Sequence, residues 1–434
     1  WRISQEHFWK VKPEAISDLK LRVSYGSLGN NNITPYAFLD NFSISTASIV
    51  FNNALPKYTS SPDPIPAGLT WETATTTDIG LDAGFLKSRL RLTADYYIRK
   101  TTDMYTVGPT LPDVFGADAP KGNYADMTTK GFEVSLSWRD SFKLGNKPFN
   151  YDVKFTLADY ISTIDKYNNI NNSLDDYYEG QRLGEIWGYQ TDGLFQSQEE
   201  IDNWATGIPL IFPSGGDGKS HPGDMKIADL DGSGDINNGD KTLDNHGDMK
   251  VIGNSAPRFI YSITLGADWN NIFVSAFFQG VGKQDWYPSS ESLFWGQYNR
   301  TYNQLPTWHL DNYWTEDNRD AYLPRYVGYT TINAKAKESR YLQSVAYIRL
   351  KNLQVGYTLP KKWLSKAGIE KLSIYFSGEN LWCWSPLYRH TRDLDVMNAT
   401  HGTDSELGKR NDASNNGNNY PIMRSYSLGV QLTF

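Results

Sequence analysis

The chain is written in short alternations of apolar and polar residues. Leu19, Leu21, Val23 and Tyr25 alternate with Lys20, Arg22, Ser24 and Gly26, and Ile79, Leu81, Ala83 and Phe85 with Asp78, Gly80, Asp82 and Gly84. The same period of two runs through 90–98, 132–138, 151–157, 259–265, 272–278, 372–376 and 426–434. A strand sends successive side chains to opposite faces, so each run predicts a strand with one oily face and one wet face. Between Ile348 and Leu359 the phase changes: Ile348 and Leu350 are followed by Leu353, Val355 and Tyr357, which predicts a bulge near Lys351 and Asn352. About ten strands result, most of them near the length that a tilted membrane strand needs.

The connections discriminate between a soluble sandwich and a membrane barrel. Short links at 86–88, 140–148, 268–271 and 360–369 alternate strictly with long ones at about 30–74, 105–128, 164–257, 281–344 and 385–420. Short turns at one end and long loops at the other are the plan of an outer-membrane barrel, with the long loops extracellular. Asp78, Asp82, Arg89, Arg91, Lys154 and Lys371 all fall on the polar faces. Tyr96, Trp138, Trp269, Tyr357 and Trp363 lie near strand ends, where an interfacial girdle needs them. The predicted fold is therefore an all-β, transmembrane antiparallel β-barrel.

Composition narrows the class further. The 434 residues are 14% aromatic, with 28 Tyr and 14 Trp, and the mean hydropathy is −0.54. That is too aromatic for disorder, and no run approaches the 18 or so apolar residues of a membrane helix. A net charge of −7 argues against a nucleic-acid partner. The single Cys383 excludes an internal disulfide and a cysteine-rich metal site. The start at Trp1, without Met or a signal-like segment, predicts a removed leader or a piece of a longer protein.

One stretch carries metal-binding chemistry. In DLDGSGDINNGD, residues 229–240, the side chains of Asp229, Asp231, Ser233, Asn237 and Asp240 and the backbone carbonyl of Asp235 occupy the ligand positions of a calcium loop. Gly234 stands where such a loop turns sharply, although Asp240 is shorter than the usual closing Glu. The expectation is a structural Ca2+ that braces a long extracellular loop; the plainer reading is a solvated acidic turn.

Aromatic residues crowd the long loops. Trp286, Trp295, Trp308, Trp314, Trp382, Trp384 and Tyr388 are the candidates for ligand contact. Flat aromatic faces among Asn, Gln and Asp suit sugar rings, and packing of the loops on one another or on a lid protein is the alternative for each. No enzyme is expected: the six His are scattered, and neither HExxH, GxSxG nor a phosphate-binding loop occurs.

Beyond these patterns, a series of stretches resembles one family. They include WRISQEHF, SDLKLRVSYGSLGNN, GLTWETATTTDIGLDAGFLKSRLRLTADYYIRKTTDM, TKGFEVSLSWR and GYQTDGLFQSQEEI. PGDMKIADLDGSGDINNGDK, IGNSAPRFIYSITLGADWNNIFVSAFFQG, YIRLKNLQVGYTLPKKW and the terminal LGVQLTF follow in family order. The chain resembles the C-terminal part, over residues 1–434, of a SusC/RagA-type TonB-dependent outer-membrane transporter of Bacteroidota. The resemblance implies a barrel of about 22 strands around an N-terminal plug. It also implies a SusD-like surface lipoprotein as lid, TonB as the energy source, and oligosaccharides or peptides as cargo. The plug, the TonB box and the first half of the barrel are absent from this chain, so those partners act through the rest of such a protein. Phe434 matches the aromatic end of family barrels. The leading function is import of glycan fragments; the alternatives are import of oligopeptides, or a surface barrel that binds a polymer without transport.

Overall fold

The computed structural model describes residues 1–31, 39, 42–60, 65, 68–108, 114, 119–204, 219–289, 292–298, 304–327, 337–365, 368–399 and 422–434. Its main body is one ten-stranded antiparallel sheet in which neighbours in sequence are neighbours in space. The strands are β1 (Ile16–Asn30), β2 (Glu72–Phe85), β3 (Leu90–Val107), β4 (Lys121–Leu144) and β5 (Lys147–Lys166), then β6 (Arg258–Trp269), β7 (Ile272–Lys283), β8 (Tyr347–Thr358), β9 (Lys371–Trp384) and β10 (Ser425–Thr433). The sheet begins at β1 and ends at β10 without those two strands pairing.

Each short connection has a local cause. Leu144 pairs with Lys147 and Trp269 with Ile272, which leaves two-residue turns. Gly145 and Asn146 (φ 56° and 62°) and Asn270 and Asn271 (φ 49° and 68°) all take positive φ. Two positive-φ residues match the right-handed twist of the flanking strands, and Gly and Asn tolerate them best. The link expected at 140–148 is therefore much tighter. Its flanks are strand because Phe142, Phe149 and Tyr151 pack together, with the two Phe rings 5.0 Å apart.

Several strands run far past a membrane's thickness. β4 has 24 residues; at ~3.4 Å per residue it is roughly 80 Å long. The loop expected at 105–128 is consequently ladder at both ends, since β3 continues to Val107 and β4 starts at Lys121. Thr- and Lys-rich strand ends carry no hydrophobic alternation, which is why the pattern understates them. The expected bulge is present: Phe277 pairs with Asn352 and Phe278 with Leu350, so Lys351 is extra. β9 answers it, with Leu350 opposite Trp382 and Asn352 opposite Glu379.

The two faces of the wall differ chemically. Residues such as Leu92, Leu136, Phe155 and Ile263 share the apolar face, and register places Leu92 beside Leu136 and Leu136 beside Phe155. On the opposite face one register row reads Thr93, Ser135, Thr156, Ser262, Gln279 and Arg349 across β3 to β8. Thr156 and Ser262 share a 2.6 Å hydrogen bond in that row. On the same face Asp82 pairs with Thr93, and Arg22 bridges Asp82 (2.9 Å) and Asp95 (2.7 Å), tying β1, β2 and β3. Aromatic rings lie over glycines of the next strand: a Cβ at Gly356 would come within 2.3 Å of Phe273, and one at Gly429 within 2.3 Å of Tyr375. These glycines let the rings lie flat on the inner face.

The hydrophobic core is not in the sheet. It lies among the long connections after β5, β7 and β9, where Phe195, Phe294, Leu323, Tyr341 and Val345 are fully buried. Small pairings scaffold it: Glu185–Tyr189 with Met249–Asn254, Thr191–Leu194 with Met225–Ile227, and Asp285–Trp286 with Gln343–Ser344. The connections expected at 164–257 and 281–344 thus form a packed lobe over the long-loop end of the wall.

Candidate functional site: the surface lobe and the inner wall

Burial sorts the seven aromatic candidates. Trp286, Trp295 and Trp314 are only 3%, 1% and 8% exposed and belong to the lobe core. Trp295 donates its indole N–H to the Pro288 carbonyl (3.1 Å) and meets Tyr341 edge-on at 5.2 Å. Trp286 meets Phe294, and Trp314 donates to Gln196 while covering Gly223. Trp308 packs against the core on Phe294 (5.1 Å) and His309 (4.4 Å). The expected ligand role of Trp286, Trp295 and Trp314 is corrected to packing, since rings with no free face cannot stack on a sugar, while Trp308 is half-buried against the same core. Trp382 and Trp384 are 48% and 51% exposed, but register sets them beside Leu350 and Ile348, on the face opposite Arg349. They point outward from the wall, the face on which an interfacial girdle sits, and this placement gives their expected ligand contact no support. Tyr388 is half-buried, with its hydroxyl 3.7 Å from Cys383 Sγ.

Buried charges stitch the lobe together. Asp224, 2% exposed, pairs with Arg325 at 2.6 Å and accepts the His221 N–H. Glu338 is fully buried and accepts from the Thr191 hydroxyl and from the N–H groups of Arg340 (2.6 Å) and Tyr341 (3.0 Å). Burial pushes its carboxyl up from 4.5 to about 7, despite those three donors. His309, 1% exposed, is hydrogen-bonded through Nε2 to the Phe294 carbonyl (2.9 Å), and burial lowers its pKa to about 4. The Asp224–Arg325 and Thr191–Glu338 contacts join segments more than a hundred residues apart, which holds the lobe as one body.

The calcium-like loop folds differently from its expected ligand set. Carboxylate oxygens of Asp229, Asp231 and Asp248 lie within 4.8 Å of one another. Asp248 is fully buried and accepts from the N–H groups of Leu230 and Asn237, both at 2.7 Å. Asp229 accepts from Gly232 and Gly234, and Asp231 from the Ser233 N–H, and hydrogen bonding from Ser233 holds the Asp231 carboxyl below its ordinary value. The Ser233 hydroxyl turns to the Asp235 carbonyl, and the Asn237 amide oxygen takes the Gly239 N–H. Asp240 accepts from Asn245 instead of closing the group. The correction has a sequence reason: Asp248 lies outside the twelve-residue pattern, and only the fold returns it to Asp229. Ile236, 1% exposed, anchors the loop in the lobe core.

With this geometry in hand, comparison with known proteins is direct. The family model described as TonB dependent receptor-like, beta-barrel, matches residues 8–381. The chain belongs to that family of receptors and transporters, and its wall is part of an outer-membrane barrel. More particularly, it is similar to SusC and to the RagAB transporter. TonB-dependent receptor P3 of Formosa agariphila is 28% identical over an alignment of 456 residues, covering 100% of this chain and 41% of the relative. TonB-dependent receptor SusC of Bacteroides thetaiotaomicron is 24% identical, covering 100% of this chain and 39% of that protein. A solved structure of the RagAB peptide transporter superposes with a TM-score of 0.68 at 19% identity, over 100% of this chain and 42% of that one. The chain spans about two fifths of the length of these relatives, and corresponds to their C-terminal part.

Proposed function

We propose that the chain forms the C-terminal wall and surface lobe of an active transporter that imports oligosaccharides. In this reading a SusD-like lipoprotein closes over the lobe, and TonB drives release through the N-terminal part of the full-length protein. The observation that carries it is the inner-face row from Thr93 to Gln279, uncharged and rich in hydroxyl and amide groups. Such groups exchange hydrogen bonds with a polyhydroxyl cargo without holding it by charge. Import of oligopeptides is the second reading, favoured by the fold shared with a peptide transporter.

Uptake by the full-length protein with its lipoprotein, in energised cells, tests this. Oligosaccharide accumulation that stops on de-energisation is the expected result. Accumulation of peptides alone supports the second reading, and binding without uptake returns the surface-adhesion alternative. The acidic loop has a bracing role in the same proposal: Asp229, Asp231 and Asp248 share a Ca2+ ion, calcium being suited to several oxygen ligands. Calcium is expected to slow protease cleavage within 229–248, and a chelator to restore it. Cleavage indifferent to both removes the ion from the account.

A further inference from the structure

The inner row ends at a charged cavity. β8, β9, the 385–399 segment and the start of β10 enclose about 200 Å3, lined by Arg349, Asn380, Cys383, Arg392, Asp395 and Arg424 with others. Among the described residues that line it are three guanidinium groups and one carboxylate. Arg349 commits one nitrogen to both oxygens of Asp395 (2.8 and 2.7 Å). Among the described residues no carboxylate lies in salt-bridge range of Arg392 or Arg424; Arg392 lies over the Tyr388 ring at 5.5 Å.

Two buried atoms are left without partners. Arg349 is 3% exposed, and its Nε–H makes no hydrogen bond. Asn380 donates Nδ2 to the Met423 carbonyl (3.1 Å), while its buried Oδ1 accepts from nothing. Buried polar groups are nearly always paired, and a guanidinium N–H is among the strongest donors. One cavity therefore lacks both an anionic acceptor and a neutral donor. Its volume equals about seven waters at ~30 Å3 each, the scale of an acidic group and the ring that bears it.

We propose that this cavity is a subsite for an acidic sugar unit of the cargo, bearing a carboxylate or a sulfate ester. The anionic oxygens take Arg392, Arg424 and the Nε–H of Arg349, and a neighbouring ring hydroxyl donates to Asn380 Oδ1. The proposal rests on the import of oligosaccharides and narrows it to acidic ones. A peptide carboxylate meets the cationic half equally well. The unfilled acceptor and the hydroxyl-rich row leading to it favour the sugar.

Two measurements on the full-length transporter with its lipoprotein test this. The first is the labelling rate of Cys383, read by peptide mass spectrometry, with thiosulfonate reagents bearing a sulfonate or a quaternary ammonium group. A cationic cavity concentrates the anionic reagent, so it reacts about tenfold faster, and the preference disappears in R392Q/R424Q. Equal rates in the parent protein, or a preference that survives the double substitution, overturn the proposal. The second is calorimetric binding of trigalacturonate, a sulfated galactose disaccharide, maltotriose and tetraalanine. Binding of either acidic saccharide, weakened about tenfold in R392Q/R424Q, is expected, and which one binds separates carboxylate from sulfate. Binding of tetraalanine with the same sensitivity, and of neither acidic saccharide, makes this a peptide-terminus pocket and overturns the proposal. Import of maltotriose unaffected by R392Q/R424Q, without binding of either acid, overturns the subsite and leaves oligosaccharide import standing. Arginine-dependent binding of an acidic saccharide without uptake of any saccharide keeps the subsite and removes the import reading.

Discussion

Trp295 and Glu338 show how far a single residue can be read from its letters. Both sit in aromatic, polar connections that looked like places to meet a ligand, yet each is buried in the lobe. Trp295→Ala is expected to cost about 3–5 kcal/mol of lobe stability by emptying a packed site, measured by hydrogen exchange across 286–298 and 337–345. Trp384→Ala, on the outer girdle, should leave that exchange unchanged. Glu338 makes the lobe pH-sensitive in a defined direction. Its folded carboxyl keeps its proton up to about 7, against 4.5 when unfolded, so the stability it contributes is full below 4.5 and declines as pH rises through that window. His309 acts oppositely, because its depressed value loses stability as pH falls from 6.5 towards 4. Glu338→Gln should therefore leave the slope of His309 and of His390, which burial also lowers, with lobe stability rising over pH 4.5–7 relative to the parent, as read by thermal unfolding at several pH values. Nothing local in the sequence marks Glu338, because its burial is completed by Thr191, Tyr287 and Tyr322 from other segments.

Among elements, the strands were the most legible, because a two-residue period states which face meets oil. Leu136 and Ser135 are adjacent in β4 and face opposite sides, beside Phe155 and Thr156 respectively. Leu136→Arg is expected to cost about 2–4 kcal/mol in a bilayer and Ser135→Arg much less, by urea unfolding of the full-length barrel in vesicles. Equal costs would mean that the assignment of the two faces is wrong. Strand ends were less legible, since ladders above the membrane need only backbone pairing and leave no hydrophobic signature. The acidic loop was half legible. Asp229 and Asp231 lie together, while the carboxylate that the fold brings to them is Asp248, and Asp240, expected to close the loop, turns to Asn245. Asp248→Ala strips the Leu230 and Asn237 N–H groups of a charged acceptor, at about 1.5–3 kcal/mol each, and should open 229–240 to hydrogen exchange. Asp240→Ala, which loses only an exposed contact with Asn245, should not.

At the scale of the whole molecule, two open strand edges dominate. β1 and β10 each present backbone groups on one side that no strand of the sheet pairs, and hydrocarbon offers them no substitute. These 434 residues refolded alone in vesicles should therefore stay protease-sensitive or associate edge to edge, and co-refolding with the remainder of the barrel should protect them. Gel mobility with and without heating would report either outcome. What the sequence by itself determined is the wall: strand number, order, faces, the bulge at Lys351 and the rhythm of short and long connections. Those follow from alternation and turn chemistry, which act between near neighbours in the chain. Only the tertiary structure decided what the long connections do. There Trp295 is core, Asp248 replaces Asp240, and Arg349, Asn380, Arg392 and Arg424 meet around one cavity. Such contacts join residues whose separation along the chain carries no period, so burial and pairing had to be seen in space.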